Sequence, residues 1–275
     1  MDLGLRGRGL VATQPIMAGE LIVECSPMAA VVKSGKAPAG MSACKHCFAL
    51  TPSDAERSPA LCSSVCIAAF DAGPGSLLER VDLSQLQELH QSQGRKFPLL
   101  IAQLLAGLLA QIKSGNVPKT WAPLELCFAE LEPEAMRQIA TEHEALCQAF
   151  EAADLTNSST LQMLLPLSRY AQLLGAAQLN AFELQLSTGF AISCLLTPTA
   201  SCFNHSCNPN VLVACGDSAR NVAFVAGVDI DSGCELCISY VDTEARWEDR
   251  RRLLLHKYGF ECSCGRCERG KRGET

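Results

Sequence analysis

Two cysteine clusters carry the first chemical signal in this chain. Cys44-Lys45-His46-Cys47 is followed, fourteen residues on, by Cys62-Ser63-Ser64-Val65-Cys66. A CxxC sets two thiolates on one tight turn, and a CxxxC sets two on the first turn of a helix. Together they can close a tetrahedral shell around Zn²⁺ at a Zn–S distance of about 2.3 Å. Four thiolates leave no open position, so such a site is structural. His46 lies between two ligands and is read as a spacer. The second cluster, Cys262-Ser263-Cys264-Gly265-Arg266-Cys267, is a CxCxxC with only three thiols. A structural zinc takes four ligands, so one must come from elsewhere in the chain. The other cysteines sit mostly in apolar runs, where a thiol packs as a small hydrophobe.

A third group of residues is polar and aromatic. Asn204-His205-Ser206-Cys207-Asn208-Pro209-Asn210 precedes Gly233-Cys234-Glu235-Leu236-Cys237-Ile238-Ser239-Tyr240 and then Tyr258-Gly259-Phe260. Taken singly, Tyr240 and Tyr258 read as core aromatics with satisfied hydroxyls, and His205 as a buried structural histidine. The chain has three tyrosines, and two of them fall in these motifs. That coincidence favours a site.

The elements that must position these groups follow from local patterning. β-prone runs at 10–13 and 21–24 flank the turn Met17-Ala18-Gly19-Glu20 and predict a hairpin. Residues 34–59, rich in Pro, Gly, Ser and Ala, carry the CxxC. From about residue 77 to 182 the period is helical, divided by Val117-Pro118 and by Asn157-Ser158-Ser159. Residues 99–112 form the most apolar stretch, interrupted by Gln103 and Gln111; it is shorter than the ~20 residues of a membrane span and reads as a buried helix. Short strands return at 211–213, 222–225 and 236–239, and a charged helix is expected over 243–257. A β fold split by insertions accounts for this order better than two independent domains.

Composition narrows the function. A net charge of −6 and a pI near 5.4 argue against direct nucleic-acid binding, and the arginines near the C-terminus read as a solvated basic end. No secretory signal is apparent, and sixteen cysteines without one point to a reducing compartment, cytoplasm or nucleus. No membrane association is expected, and no oligomeric state is assigned.

The order and spacing of these motifs resemble the SET-domain protein lysine methyltransferases, in particular the SET-and-MYND (SMYD-like) branch. Gly7-Arg8-Gly9-Leu10, with Ile16 and Gly19-Glu20, is similar to the family's opening motif, and Asn180-Ala181-Phe182 to the element that re-enters the core after a helical insert. The resemblance implies an α+β fold with a mainly β core: a SET fold of small β-sheets with a pseudoknot formed by segment 204–210. It implies five segments: 1–43 and 181–258 as the two parts of the SET core, 44–70 as a reduced MYND-like finger, 71–180 as a helical insert, and 259–275 as a post-SET zinc tail. It supplies Cys207 as the fourth ligand for Cys262, Cys264 and Cys267. Cys44, Cys47, Cys62 and Cys66 match one of the two zinc sites of a MYND finger, giving two structural zinc ions in all. The C-terminal helical-repeat domain of many relatives does not follow the tail here, which implies a more open cleft.

The same resemblance implies transfer of methyl from S-adenosylmethionine to a lysine of a histone or other protein substrate. Tyr240 and Tyr258 would be catalytic walls of the channel where amine meets methyl group. Asn204 and His205 would hold the cofactor, Arg6, Gly7 and Arg8 would cover its carboxylate end, Tyr258 and Phe260 would pack against it, and Asn180 would assist. The alternative is a non-catalytic SET-like zinc scaffold for protein–protein interaction.

Overall fold

The computed structural model describes residues 7–53, 60–95 and 97–272. Along the chain run β1 (Leu10–Val11), β2 (Leu21–Cys25), β3 (Ala29–Ser34), β4 (Met41–Ala43) and β5 (Leu50–Pro52). Helices follow: α1 (Ser64–Ala72), α2 (Pro74–Leu78), α3 (Ser84–Gln93), α4 (Phe97–Lys113), α5 (Met136–Ala152), α6 (Ser158–Leu164) and α7 (Leu167–Asn180). Strands return as β6 (Ala181–Gln185), β7 (Ala191–Leu195), β8 (Asn204–His205), β9 (Val211–Ala214), β10 (Val222–Ala226) and β11 (Glu235–Ile238), before α8 (Trp247–Tyr258) and α9 (Gly265–Lys271). These elements form two compact units.

The first unit comprises residues 1–25, 198–214 and 221–275. One of its sheets has the order β1-β11-β8, with β1 antiparallel and β8 parallel to β11; the other has the order β2-β10-β9, all antiparallel. Burial alternates along β10, so Val222, Phe224 and Ala226 face the interior, and Phe224 stacks on Phe203 at 4.5 Å between centroids.

The expected hairpin over 10–24 is not what forms. The turn is real, since Glu20 N donates to Met17 O and Gly19 has φ +84°. Its arms, however, join different sheets: β1 pairs with β11 and β2 with β10. Pro15 has no N–H to offer a ladder, and Ile16 bridges to Ile230 instead. The charged helix α8 also starts later than expected, at Trp247, because Asp242 accepts from Glu244 N and closes a turn ahead of it.

The second unit comprises residues 26–197 and 215–220. Its sheet has the order β3-β7-β6, and its core is helical, with α4 contributing Leu100, Ile101, Leu104, Leu105 and Leu109. Gln103 interrupts the apolar run for a reason. Its amide accepts from Ala30 N and donates to Ala30 O, pairing an edge residue of β3 as a neighbouring strand would. Asn157, expected as a break, is the N-cap of α6, with Oδ1 accepting from Thr160 N. The helical period ends two residues early: Ala181 and Phe182 already lie in β6.

Candidate active site and metal centres

In the second unit, the β4–β5 hairpin carries the CxxC at its tip. Phe48, at φ +62°, donates to Cys44 O, and Cys44 N donates to Ala49 O, so the loop wraps back on itself with both thiols inward. Ser63 caps α1 by accepting from Cys66 N, which fixes the helix start that presents Cys62 and Cys66. The Sγ atoms of Cys44, Cys47, Cys62 and Cys66 lie within 4.8 Å of one another, and Cys47–Cys62 and Cys62–Cys66 are each 3.5 Å apart. A zinc tetrahedron with about 2.3 Å bonds has edges near 3.8 Å, so the four thiols fit the ion. A hydrogen bond from Cys47 holds the Cys44 thiol down at about 4, and the same bond pushes Cys47 up. Arg220 Nη2 donates to Cys66 Sγ at 3.2 Å, placing a cation beside a shell whose four thiolates would outweigh the metal's charge.

The second centre is in the first unit. Sγ atoms of Cys207, Cys262, Cys264 and Cys267 converge within 4.8 Å, with Cys207–Cys267 at 3.5 Å. Cys207 comes from the threaded segment and the rest from the tail. Arg266 Nη1 donates to Cys207 O, and the buried Arg250 lies beside Cys207 and Cys267. Burial works against the charge of Arg250, but hydrogen bonds and attraction from those two thiols outweigh it and raise its pKa. A hydrogen bond from Cys207 holds Cys262 down at about 2. Burial pushes Cys267 up to about 11. The described residues thus contain two four-cysteine groups, and both fit a structural zinc ion.

The heptapeptide around Cys207 is held by its own polar side chains. Asn204 Nδ2 donates to Arg8 O at 3.3 Å and to Glu235 Oε1 at 2.8 Å, tying the opening glycine-rich segment to β11. Asn210 clamps β11 from the other end: its Nδ2 donates to Glu235 O and its Oδ1 accepts from Cys237 N. Ser206 accepts from Asn208 N in a tight turn. Asn210 therefore acts as a rung on the β11 main chain, while Asn204 grips the Glu235 side chain. Neither Asn210 nor Arg250 was singled out from sequence. The signal for Arg250 was present, since Trp247, Arg250, Leu254 and Tyr258 form one helical stripe, and a charge on a buried stripe needs partners.

Next to this zinc centre lies a group of rings. Tyr240 and Tyr258 meet at 4.9 Å between centroids, His205 and Tyr240 at 5.3 Å, and His205 and Phe260 at 5.9 Å. Gly259 ends α8 at φ +74°, the left-handed turn that lets Tyr258 and Phe260 join the same cluster. The Tyr240 hydroxyl donates to Phe203 O at 2.7 Å, and Tyr240 N donates to His205 Nδ1 at 3.0 Å. Lys257 Nζ stands 5.0 Å from the Tyr258 ring, so that ring already receives one cation. Gly7, at φ +69°, has nothing within 4 Å of where a Cβ would stand, and leaves room for a ligand to approach the main chain.

Residues 7–241 match the SET domain family. The chain belongs to the SET-domain family. Among curated relatives, the histone-lysine N-methyltransferase ATXR4 of Arabidopsis thaliana is 25% identical over 95% of this chain and 83% of its own length. Human histone-lysine N-methyltransferase SMYD3 is 25% identical over 96% of this chain and 59% of its own. A SET and MYND domain-containing protein of Dictyostelium discoideum is 26% identical over 66% of this chain and 54% of its own.

Of the residues expected to form a SET site, Gly7, Arg8, Asn204, His205, Tyr240, Tyr258 and Phe260 all lie in the first unit. Arg6 lies outside the described residues. Asn180 belongs to the second unit, where its Nδ2 donates to Cys127 O and Ala176 O. The exposed arginines of α8 are paired, Arg251 with Glu261 and Arg252 with Asp249, as a solvated basic surface would be. No described helix is long and apolar enough to cross a membrane.

Proposed function

We propose that this SET-domain chain is an S-adenosylmethionine-dependent protein-lysine N-methyltransferase acting on histone or other protein substrates in nucleus or cytoplasm. In this reading residues 1–43 and 181–258 make the SET core, 44–70 the finger, 71–180 the helical insert and 259–275 the zinc tail. The observation that carries it is the Tyr240 hydroxyl, which donates to Phe203 O inside the cluster of His205, Tyr258 and Phe260.

When bound, S-adenosylmethionine supplies an electrophilic methyl group from its sulfonium. The residues present fit such a ligand: the open main chain at Gly7, the Arg8 guanidinium for a carboxylate, the edge strand β8, and the half-buried faces of Phe260 and Tyr258 for apolar and cationic parts. Asn204 contributes by holding the Arg8 main chain in place.

Tyr240 acts through its oxygen lone pairs. Because its proton is given to Phe203 O, Oη can only accept, and it would accept from the N–H of the incoming amine and orient the amine's own lone pair. A lysine ammonium has a pKa of about 10.4 and must lose a proton first. Withdrawal from water against the Tyr240 and Tyr258 rings lowers that pKa, and the proton leaves to solvent before transfer. The Tyr258 ring packs against Tyr240 at 4.9 Å, so the two would form one continuous wall that restricts the approach to an in-line path.

Purified protein incubated with methyl-labelled S-adenosylmethionine and a panel of lysine-containing proteins should transfer label to lysine. Tyr240→Phe should cut kcat by about a hundredfold, the usual size of one lost site hydrogen bond, while both zinc ions stay bound. Label transfer by the variant at the wild-type rate would overturn the role of Tyr240. Absence of transfer from a two-zinc wild-type protein across the panel would leave the zinc-scaffold reading in its place.

A further inference from the structure

His205 stands between two features that the proposed function treats separately, the tail zinc centre and the tyrosine channel. Its Nδ1 accepts from Tyr240 N at 3.0 Å, and its Nε2 lies 3.2 Å from Cys207 Sγ. The ring is buried, at 3% exposure, so neither contact competes freely with water. A nitrogen that faces an N–H donor must present its lone pair. A neutral imidazole then carries its single proton on the other nitrogen. Nε2–H is therefore aimed at Cys207 Sγ, with the Cys262 thiol as a second neighbour; as zinc ligands both would be thiolates and good acceptors.

We infer that His205 is a positioning residue that couples the tail zinc to the channel tyrosine: one ring nitrogen donates to the zinc-bound Cys207 thiolate and the other fixes the Tyr240 main chain. The chain around it supports this. His205 is registered against Ile238 of β11, two residues before Tyr240, and Ser206 N donates to Ile238 O. The strand pairing holds the backbone of 205 and 238 together; the ring adds a link that reaches on to 240. Tyr240 is then held at three points: by its own chain, by His205 at its nitrogen and by Phe203 at its hydroxyl. Both contacts call for the same tautomer of His205, so the one ring ties the zinc centre to the Tyr240 main chain. The coupling to transfer rests on the proposed methyltransferase reading; the link from zinc to Tyr240 does not.

Two substitutions separate the two ends of the ring. His205→Asn keeps an acceptor at the Nδ1 position, facing Tyr240 N, and loses the donor to Cys207. His205→Gln keeps a donor near the Nε2 position, facing Cys207, and loses the acceptor for Tyr240. The holoprotein with both zinc ions, without cofactor or substrate, is mixed with a chromogenic chelator, and the release phase missing in Cys207→Ser identifies the tail zinc. The expected result is release about tenfold faster in His205→Asn and within about twofold of wild type in His205→Gln. In methyl transfer the order reverses: His205→Gln lowers kcat more than His205→Asn, with KM for the protein substrate little changed. Nitrogen-15 imidazole shifts should place the proton of His205 on Nε2.

A proton found on Nδ1, or equal zinc release from the two variants, would overturn the link. Zinc release in the expected order with equal kcat in both variants would overturn the coupling to transfer. A wild-type protein that transfers no methyl group defeats the enzymatic reading alone, because the zinc-release and imidazole measurements use no cofactor.

Discussion

The two four-cysteine centres of this protein have the same ligands and opposite architectures. The finger centre is local: its four thiols fall within residues 44–66, on a hairpin tip and the start of α1, and it packs only with Ala49 and Leu61 among described apolar neighbours. The tail centre is assembled from afar. Cys207 lies on the threaded segment and its partners on residues 262–267, and the same cluster contains Tyr240, Tyr258 and Phe260. The closing loop, 207 to 262, is more than three times as long as 47 to 62, and the logarithmic cost of loop closure makes the tail link worth about 1 kcal/mol more against the unfolded chain. The greater difference is in what each centre holds. One folds a small insert. The other joins the Tyr240, Tyr258 and Phe260 rings to the segment that carries Cys207.

The largest expected effect comes from breaking each centre in turn. Cys47→Ser and Cys207→Ser should each lower the zinc content from two ions to one by elemental analysis. Structural zinc is worth about 10 kcal/mol or more to the segment it folds, so each loss should be local and complete. Cys207→Ser should lower kcat/KM for methyl transfer by at least about a hundredfold, because the ring cluster loses its anchor. Cys47→Ser should stay within a few-fold of wild type. Equal losses in the two variants would erase the distinction between the centres.

A smaller effect separates the outer partners. Each centre has an arginine against two of its sulfurs, but Arg250 is buried beside Cys207 and Cys267 while Arg220, beside Cys66 and Cys47, is only half-buried. Replacing each by Met removes the charge and keeps most of the apolar stem. Arg250→Met should speed release of the tail zinc to a chelator by about tenfold, equivalent to about 1.4 kcal/mol. Arg220→Met should speed release of the finger zinc by no more than about threefold, since solvent screens it. The reverse order would mean that burial does not govern these charge–thiolate contacts.

How much of this was readable in advance also divides along the same line. The finger is a matter of spacing: CxxC and CxxxC place ligands on turns whose geometry is fixed locally, and Ser63 supplies the helix cap where a CxxxC needs one. The tail is a matter of topology. Spacing alone found three thiols and a vacancy; Cys207 entered through resemblance, because no local rule brings residue 207 to residue 262. The N-terminal pairing failed for the same reason. The turn at 17–20 forms, but it makes no hairpin, because both of its arms pair with strands more than 190 residues away. Gln103 and Arg250 interrupt otherwise clear apolar stripes, and each proves to satisfy a specific group that only the tertiary structure reveals.

The finest comparison is steric. Gly270 lies in α9 directly beneath the Trp247 ring, and a Cβ there would stand 2.7 Å from Trp247 Cγ. Contacts that short do not persist, so Gly270→Ala must push the ring or the C-terminal turn of α9 aside. Overpacking of this kind costs about 1–3 kcal/mol, but the strain is local and α9 lies at the end of the described chain, where it can shift. Alanine also favours the helix by up to about 1 kcal/mol over glycine, which offsets part of the strain. The net expectation is a loss of a few degrees in Tm and release of the tail zinc about two- to threefold faster, with finger release unchanged. A variant in which both zinc ions leave faster would show that strain at α9 spreads through the whole protein, and the two centres would then no longer count as independent.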